Sequence, residues 1–278
     1  MLDHPCFDEK AHFLYGRIHL PVAEACNISC RYCSRQVGVS YHGCRPGVAE
    51  RILTPHEAVE RVAFYMNPAM KVAGIAGPGE PLYNQDTFET LDLVNERFFR
   101  LILCVATNGL LLPDKAELLA QLGVKTVTVT INTVKAETIP EVYLHIMGEP
   151  PEKVAEQFIS CQLRGIEACV ELGMRVKVNS VLIPGVTSKG MEDVAVQSKE
   201  RGACMQNIIP LIPLAGYSHV LAPTCEELRS TRARCEKILP QFRLCIQCRA
   251  DAVGIPGRTG SCRMMEEEDI KNSNSRSI

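Results

Sequence analysis

Six short runs rich in valine, isoleucine and leucine, most followed by a helix-like stretch, constrain this chain more than any other feature in it. They cover 17–23, 70–76, 101–106, 124–132, 175–183 and 205–212, and several are apolar almost throughout, as parallel strands buried on both faces are. Between them 84–98, 113–122, 152–172 and 189–201 read as helices. Thr54-Pro55-His56-Glu57 reads as the start of another, with an N-cap threonine, proline at the first helical position and an acidic first turn. A last helix is expected over 224–239. Strands alternating with helices pair in parallel through right-handed crossovers. Six units are too few for a closed eight-stranded barrel, so the expected fold is α/β, a partial (β/α)6 TIM-like barrel of parallel strands. In such a fold chemistry collects at the C-terminal ends of the strands. Cysteine-bearing extensions flank it at 1–16 and 224–265, giving one expected domain over 1–265. Residues 266–278 are charged, then Ser/Asn-rich, the composition of a disordered tail.

With 46% hydrophobic and 22% charged residues the chain has ample material for a core. A formal net charge of −2 argues against a nucleic-acid or membrane-surface footprint. The first ten residues mix Asp3, Asp8, Glu9 and Lys10 with no apolar run, so no export signal is expected, and no stretch has the apolar length of a membrane span. The expected setting is cytoplasmic. There, fourteen cysteines point to metal binding or catalysis rather than disulfides. Cys104, Cys161, Cys169 and Cys204 lie among apolar neighbours and read as small buried hydrophobes. Cys225 and Cys235 sit in a polar helical stretch with no assigned role. Cys6, Cys26, Cys30, Cys33, Cys44, Cys245, Cys248 and Cys262 fall in loop-like segments, free to converge on metal.

Cys26-Asn-Ile-Ser-Cys30-Arg-Tyr-Cys33 follows the first predicted strand directly. Thiolates at spacings of four and three residues can hold three corners of a 4Fe–4S cubane and leave one iron open, as a reactive cluster needs. The alternative is structural zinc, which prefers four ligands in paired CxxC spacing. Gly77-Pro78-Gly79-Glu80-Pro81 follows the second strand, and its glycines let backbone approach a ligand closely; alone, such a stretch is equally a tight turn.

CxxxCxxC with Tyr32 before its last cysteine, one unit ahead of this glycine-rich turn, resembles the radical S-adenosylmethionine (SAM) superfamily. The resemblance implies that Cys26, Cys30 and Cys33 hold a 4Fe–4S cluster whose open iron chelates SAM. It further implies that Gly77, Gly79 and Glu80 meet the SAM amino group, and that Thr107, Asn108, Thr130, Asn132, Asn179, Ser180 and Ile183 face its ribose, carboxylate and adenine. Taken singly, each of these residues is equally a strand-end hydrogen bond without a ligand.

Longer stretches are similar to the NifB family of nitrogenase cofactor maturases. They include His4-Pro5-Cys6-Phe7, residues 74–82, Thr107-Asn108-Gly109-Leu110, Lys177-Val178-Asn179-Ser180-Val181, Asn207-Ile208-Ile209-Pro210-Leu211 and residues 245–254. That family is one of carbide synthases, which fuse two 4Fe–4S clusters into an eight-iron core around a carbon taken from the SAM methyl group. One SAM gives its methyl to a cluster sulfide and a second supplies the radical that abstracts hydrogen from it. The resemblance implies one or two auxiliary 4Fe–4S substrate clusters, with Cys6, Cys245 and Cys248 as ligands; structural zinc is the alternative there. His12 and Cys44 are candidates for a further cluster. The loop over 34–43 departs from the family pattern: it lacks the usual cysteine and glutamate, and Cys44 stands directly before Arg45-Pro46-Gly47. Implied partners are a ferredoxin or flavodoxin as electron donor, and cluster donor and acceptor proteins of cofactor assembly, in a stand-alone form without an extra C-terminal domain. The competing expectations are a related radical SAM enzyme with another substrate, and a non-catalytic Fe–S carrier.

Overall fold

A computed structural model describes residues 3–39 and 45–256. In chain order the elements begin with α1 (Glu9–Leu14), β1 (Gly16–His19), β2 (Ile28–Cys30), β3 (Gln36–Val37), β4 (Val48–Ala49), α2 (Pro55–Tyr65) and β5 (Met70–Ile75). There follow α3 (Gln85–Arg97), β6 (Ile102–Thr107), α4 (Leu112–Gln121), β7 (Val124–Thr130), α5 (Ile139–Val142), β8 (Tyr143–Ile146) and α6 (Pro151–Glu171). The chain continues through β9 (Arg175–Leu182), α7 (Met191–Glu200), β10 (Met205–Pro210), α8 (Cys225–Glu236) and β11 (Val253–Gly254).

The main sheet has seven strands in the order β10-β9-β7-β6-β5-β1-β11, six of them parallel and β11 antiparallel on β1. The sheet curls into a half-barrel, so all six expected strands are present. The first is shorter than the expected 17–23: the Leu20 N–H still donates to the Gly74 carbonyl (2.9 Å), but around Pro21 the Val22 N–H turns back to the Leu20 carbonyl (3.0 Å), and beyond it only a bridge from Ala23 to Pro78 survives. Thr54 caps α2 in a full capping box with Glu57 and Pro55 behind it, as expected, and Thr224 with Glu227 does the same for α8. Not anticipated were α1, the antiparallel ribbon β2–β8, the small pair β3–β4, and β11.

The strands are not apolar on both faces. Their register puts Arg17 and His19 of β1, Gly74 of β5, Cys104 of β6, Thr126, Thr128 and Thr130 of β7, Lys177 and Asn179 of β9, and Asn207 of β10 on one face. The opposite face carries Ile18, Leu103, Val105, Val127, Val129, Val176, Val178 and Ile208, buried with Val59, Val62, Leu91, Leu119, Ile166 and Val194 of the surrounding helices. The core therefore lies between sheet and helices, and the concave lumen is mainly polar, with Val72, Ile102, Val181 and Ile209 on the same face. Gly165 lets α6 meet α4 closely, since a Cβ there would lie 2.7 Å from that of Leu112.

The open side of the half-barrel is spanned by the C-terminal segment. Gln206 on edge strand β10 donates its N–H to Pro240 and accepts from Phe242 through its carbonyl, and farther on Val253 and Gly254 pair with β1 at the other edge. Residues 240–254 thus touch both sheet edges and carry Cys245 and Cys248 between them. No helix among the described residues is long and apolar enough to cross a membrane.

Candidate functional site

The first cysteine set is held by the ribbon. Ile28 pairs with Ile146 and Ser29 with His145, the N–H of Arg31 donates to the Val142 carbonyl (2.9 Å), and that of Met147 to the Asn27 carbonyl (2.7 Å). Cys30 therefore ends a strand rather than lying in an open loop. Cys26, Cys30 and Cys33 are free and half-buried. Burial pushes the Cys30 thiol well above its ordinary range; the charges of Cys33 and Cys26 add to this and a hydrogen bond with Tyr32 opposes it. Burial likewise raises Cys26 and Cys33, with Cys26 acting on Cys33. The three thiols are thus linked through one another's charges, and a positively charged metal group is what would bring them to the thiolate form.

The glycine-rich turn lies against this loop. The N–H of Gly79 donates to the Ala23 carbonyl (2.7 Å) and that of Glu80 to the Ala25 carbonyl (2.9 Å). A Cβ on Gly79 would fall 2.2 Å from the Ala25 carbonyl oxygen and 2.6 Å from that of Glu24, so no other residue fits. Gly77 has φ +113, again a glycine conformation.

The buried Glu80 carboxylate turns towards the strand ends. It accepts from the Thr107 hydroxyl, the Asn108 N–H (2.7 Å) and the Leu82 N–H (3.1 Å). Burial raises its pKa to about 7 against those three bonds. Asn108 donates from Nδ2 to Asn27 (2.7 Å), and Gln162 of α6 donates to the carbonyls of both Asn108 and Thr130 (2.8 Å each). Asn132 donates to the hydroxyls of Tyr32 (3.0 Å) and Tyr143 (3.1 Å) and accepts from the Val181 N–H (2.8 Å). Ser180 donates to the Ile131 carbonyl, and the Ile183 N–H donates to Thr187. Asn179 accepts from Asn207 (2.9 Å), whose own buried Oδ1 has no partner. Among the predicted SAM contacts, Thr130 and Asn179 keep side chains half-open to the lumen, whereas those of Glu80, Asn132 and Ser180 are buried and committed within the protein.

The second cysteine set comes from the two chain ends. Burial pushes the Cys6 thiol up to about 12; nearby Lys177 and Arg17 oppose this, while the charges of Cys248 and Cys245 add to it, and Lys177 on the Cys6 carbonyl and Arg17 on the Cys248 sulfur hold both segments against the same lumen face. Arg17 donates to the Cys248 sulfur (2.9 Å) and to the Gly254 carbonyl, and Lys177 to the Cys6 carbonyl (2.9 Å). His4 is buried beneath, accepting from the Cys6 N–H through Nδ1 (3.0 Å) and leaving Nε2 without a partner. His12 is buried with Nδ1 at the Pro5 carbonyl (2.8 Å), which props the N-terminal turn. Cys44 lies outside the described residues, as do Cys262 and the tail over 266–278.

Several residues went unread in the sequence. Cys104, expected as a core hydrophobe, faces the lumen half-buried; it and His19 flank Gly74, each 3.6 Å from where a Cβ would stand. Among the described residues Cys169 and Cys235 are sealed in the core, whereas Cys161 and Cys204, also expected there, are only partly buried. Arg17, His19 and Lys177 complete the polar lining, and the available signal was polar residues at period two within otherwise apolar strands; Asn27 of the cysteine loop and Gln162 of α6 brace the strand ends and carry no such signal. Among the described residues no three Cys, His, Asp or Glu side chains close on a single ion. A four-iron cluster instead takes one thiolate at each of several irons, which suits two sets of three separated thiols.

A model of the Radical SAM superfamily matches residues 20–196. The FeMo cofactor biosynthesis protein NifB of Methanocaldococcus jannaschii is 46% identical over 264 residues, covering 91% of this chain and 86% of that protein. The protein of the same name from Klebsiella pneumoniae is 43% identical over 93% of this chain, which spans 58% of its length. Among solved structures, Streptococcus suis SuiB shares the fold with a TM-score of 0.60 at 14% identity, over 84% of this chain and half of that one.

Proposed function

We propose a function for this chain from one premise: it belongs to the NifB family of radical SAM proteins. Its role is in nitrogenase cofactor biosynthesis. Within that role we infer that it is a carbide synthase, joining two 4Fe–4S substrate clusters into an eight-iron product around a carbon from the SAM methyl group. The observation that carries this reading is the second set of thiols, Cys6, Cys245 and Cys248, gathered inside the barrel from opposite ends of the chain. Three sulfur donors in the lumen suit an iron–sulfur substrate rather than an organic one.

Cys26, Cys30 and Cys33 would hold the resident cluster, and their spacing leaves it one iron without a protein thiolate. When bound, that cluster and SAM supply a methyl group and a 5′-deoxyadenosyl radical, chemistry that belongs to the cofactor. The protein's part is positioning. Gly79 seats its turn on the Glu24 and Ala25 carbonyls and Gly77 bends it, which would present the turn to SAM beside the cysteine loop, Glu80 locks that turn to Thr107 and Asn108, and Thr130 and Asn179 reach the lumen. Asn132, Ser180 and Ile183 set the strand ends that shape the same pocket. Cys6, Cys245 and Cys248 would anchor one substrate cluster. Cys104 and His19 would be the further sulfur and nitrogen donors on the lumen wall for a second, with His12 propping the N-terminal turn; the candidate Cys44 lies outside the described residues. A fully loaded chain would hold roughly twelve irons in three four-iron units. A ferredoxin or flavodoxin would deliver the electron, and carrier proteins in the cytoplasm would bring the clusters and take the product.

The test is anaerobic turnover of the reduced, reconstituted chain with methyl-labelled SAM. The expected result is 5′-deoxyadenosine together with label inside the acid-extracted cluster. The altered loop over 34–43 favours a second reading, a NifB-like enzyme acting on another substrate. SAM cleavage with an unlabelled cluster would establish that reading and overturn the first.

A further inference from the structure

Two cations are sealed into the lumen with no counter-ion among the described residues. Arg17 is 0% exposed and Lys177 4%, and among the described residues neither forms an ion pair. The Arg17 guanidinium spends two of its nitrogens on the Gly254 carbonyl and the Cys248 sulfur, and its Nε is buried with no partner. The Lys177 ammonium bonds the Cys6 carbonyl and stands over the rings of Phe7 (4.8 Å) and Phe242 (5.3 Å). Ring faces offset part of an ammonium's lost hydration but bring no opposite net charge. Burying unpaired charge is costly, and a fold that does so twice within reach of the same three thiols is incomplete until an anion arrives. Both side chains come from the sheet, on β1 and β9, so their positions are fixed by the barrel rather than by a loop.

We propose that Arg17 and Lys177 are positioning residues: two fixed positive charges that complement an anionic, thiolate-ligated iron–sulfur group on Cys6, Cys245 and Cys248 and raise its reduction potential. This rests on the reading of those cysteines as donors to such a group. Reduction adds a negative charge, which a nearby cation stabilises, and a hydrogen bond to a ligand sulfur acts in the same direction. Arg17 supplies both effects through Cys248, and Lys177 supplies the field from the side of Cys6.

The experiment is a redox titration of the reconstituted whole chain followed by EPR, with the unreactive SAM analogue aza-SAM added, so that the SAM-binding cluster is recognised by its changed signal while no methyl or radical reaches the second group. The signal indifferent to SAM is the one to follow. Lys177→Gln and Arg17→Gln are each expected to lower its reduced-to-oxidised ratio at a fixed potential about tenfold, which is about 59 mV for one electron. Lys177→Arg is expected to stay within about twofold of the unaltered chain. Loaded Gln variants whose ratio does not move would overturn the proposal. If Lys177→Gln fails to retain this iron, retention by Lys177→Arg supports the charge account and loss in both overturns it. An unaltered chain with no SAM-indifferent iron–sulfur signal would refute the reading of the cysteines themselves, and the proposal with it.

Discussion

Glu80 offers the sharpest test of the site's geometry, because its carboxyl is buried and its three partners are all donors. Its pKa is about 7 in the folded chain against an ordinary value of 4.5, raised by burial. The folded state therefore binds more protons than the unfolded state between these values. The stability Glu80 contributes is present at low pH and is lost as pH rises through that interval. A shift of that size corresponds to about 3 kcal/mol in all, and about 2 kcal/mol of it falls between about pH 5.5 and 8.5. His19 works in the opposite sense: burial lowers it to about 4 from 6.5, so its contribution rises with pH over part of the same range. The measurement is therefore a difference between the unaltered chain and Glu80→Gln, by urea unfolding of the reduced, metal-free proteins across that range. Glutamine cannot ionise, and turning its amide either way sets one N–H against the donor of Asn108 or Leu82, a cost of about 1–3 kcal/mol. At low pH the variant is expected to be the less stable of the two, and the gap should narrow by about 2 kcal/mol towards about pH 8.5. A gap that stays constant within about 0.5 kcal/mol would show that the carboxyl is not buried against Thr107 and Asn108.

Gly79→Ala drives a Cβ into the carbonyls of Glu24 and Ala25, and backbone cannot swing aside as a side chain can. The variant is expected to lose about 3 kcal/mol in urea unfolding and to take up less iron at the first cysteine set; normal stability and iron content would contradict the close approach. Asn132→Leu leaves the Val181 N–H and two tyrosine hydroxyls without their partner, so a loss of about 2–3 kcal/mol is expected in the same assay. The exposed Glu89→Ala serves as its control, expected within about 0.5 kcal/mol of the unaltered chain, and an Asn132→Leu loss no larger than that would contradict the bonding. Cys26→Ala should abolish the SAM-responsive EPR signal and keep the SAM-indifferent one, and Cys248→Ser should do the reverse. Loss of both signals in either variant would show that the two sets are not independent.

Much of this protein was legible from local pattern. Six strands, their helices, the Thr54 cap and the cysteine triplet all depend on residues within one or two turns of each other, where propensity, capping and spacing act directly. The ends of the strands were less so, since β1 ends where the Val22 N–H turns back to the Leu20 carbonyl around Pro21 rather than where apolar character stops. The triplet and the glycine-rich turn were found as motifs, but that Glu80 faces Thr107 and Asn108 follows from the packing of adjacent strand ends.

The sequence by itself determined the kind of fold and which residues carry sulfur. Only the tertiary structure decided which sulfurs meet. Cys6, Cys245 and Cys248 converge because residues 240–254 pair with β10 at one sheet edge and β1 at the other, contacts between positions far apart in the chain that no local signal encodes. The same holds for the lumen. A period of two says that Arg17 and His19 share a face of their strand, but the pairing of strands brings Cys104 and Lys177 onto that face, and the curl of the sheet makes it the enclosed one. Burial, which gives Arg17, Lys177 and six thiols their chemistry, is a property of the closed surface and not of the order of residues along it.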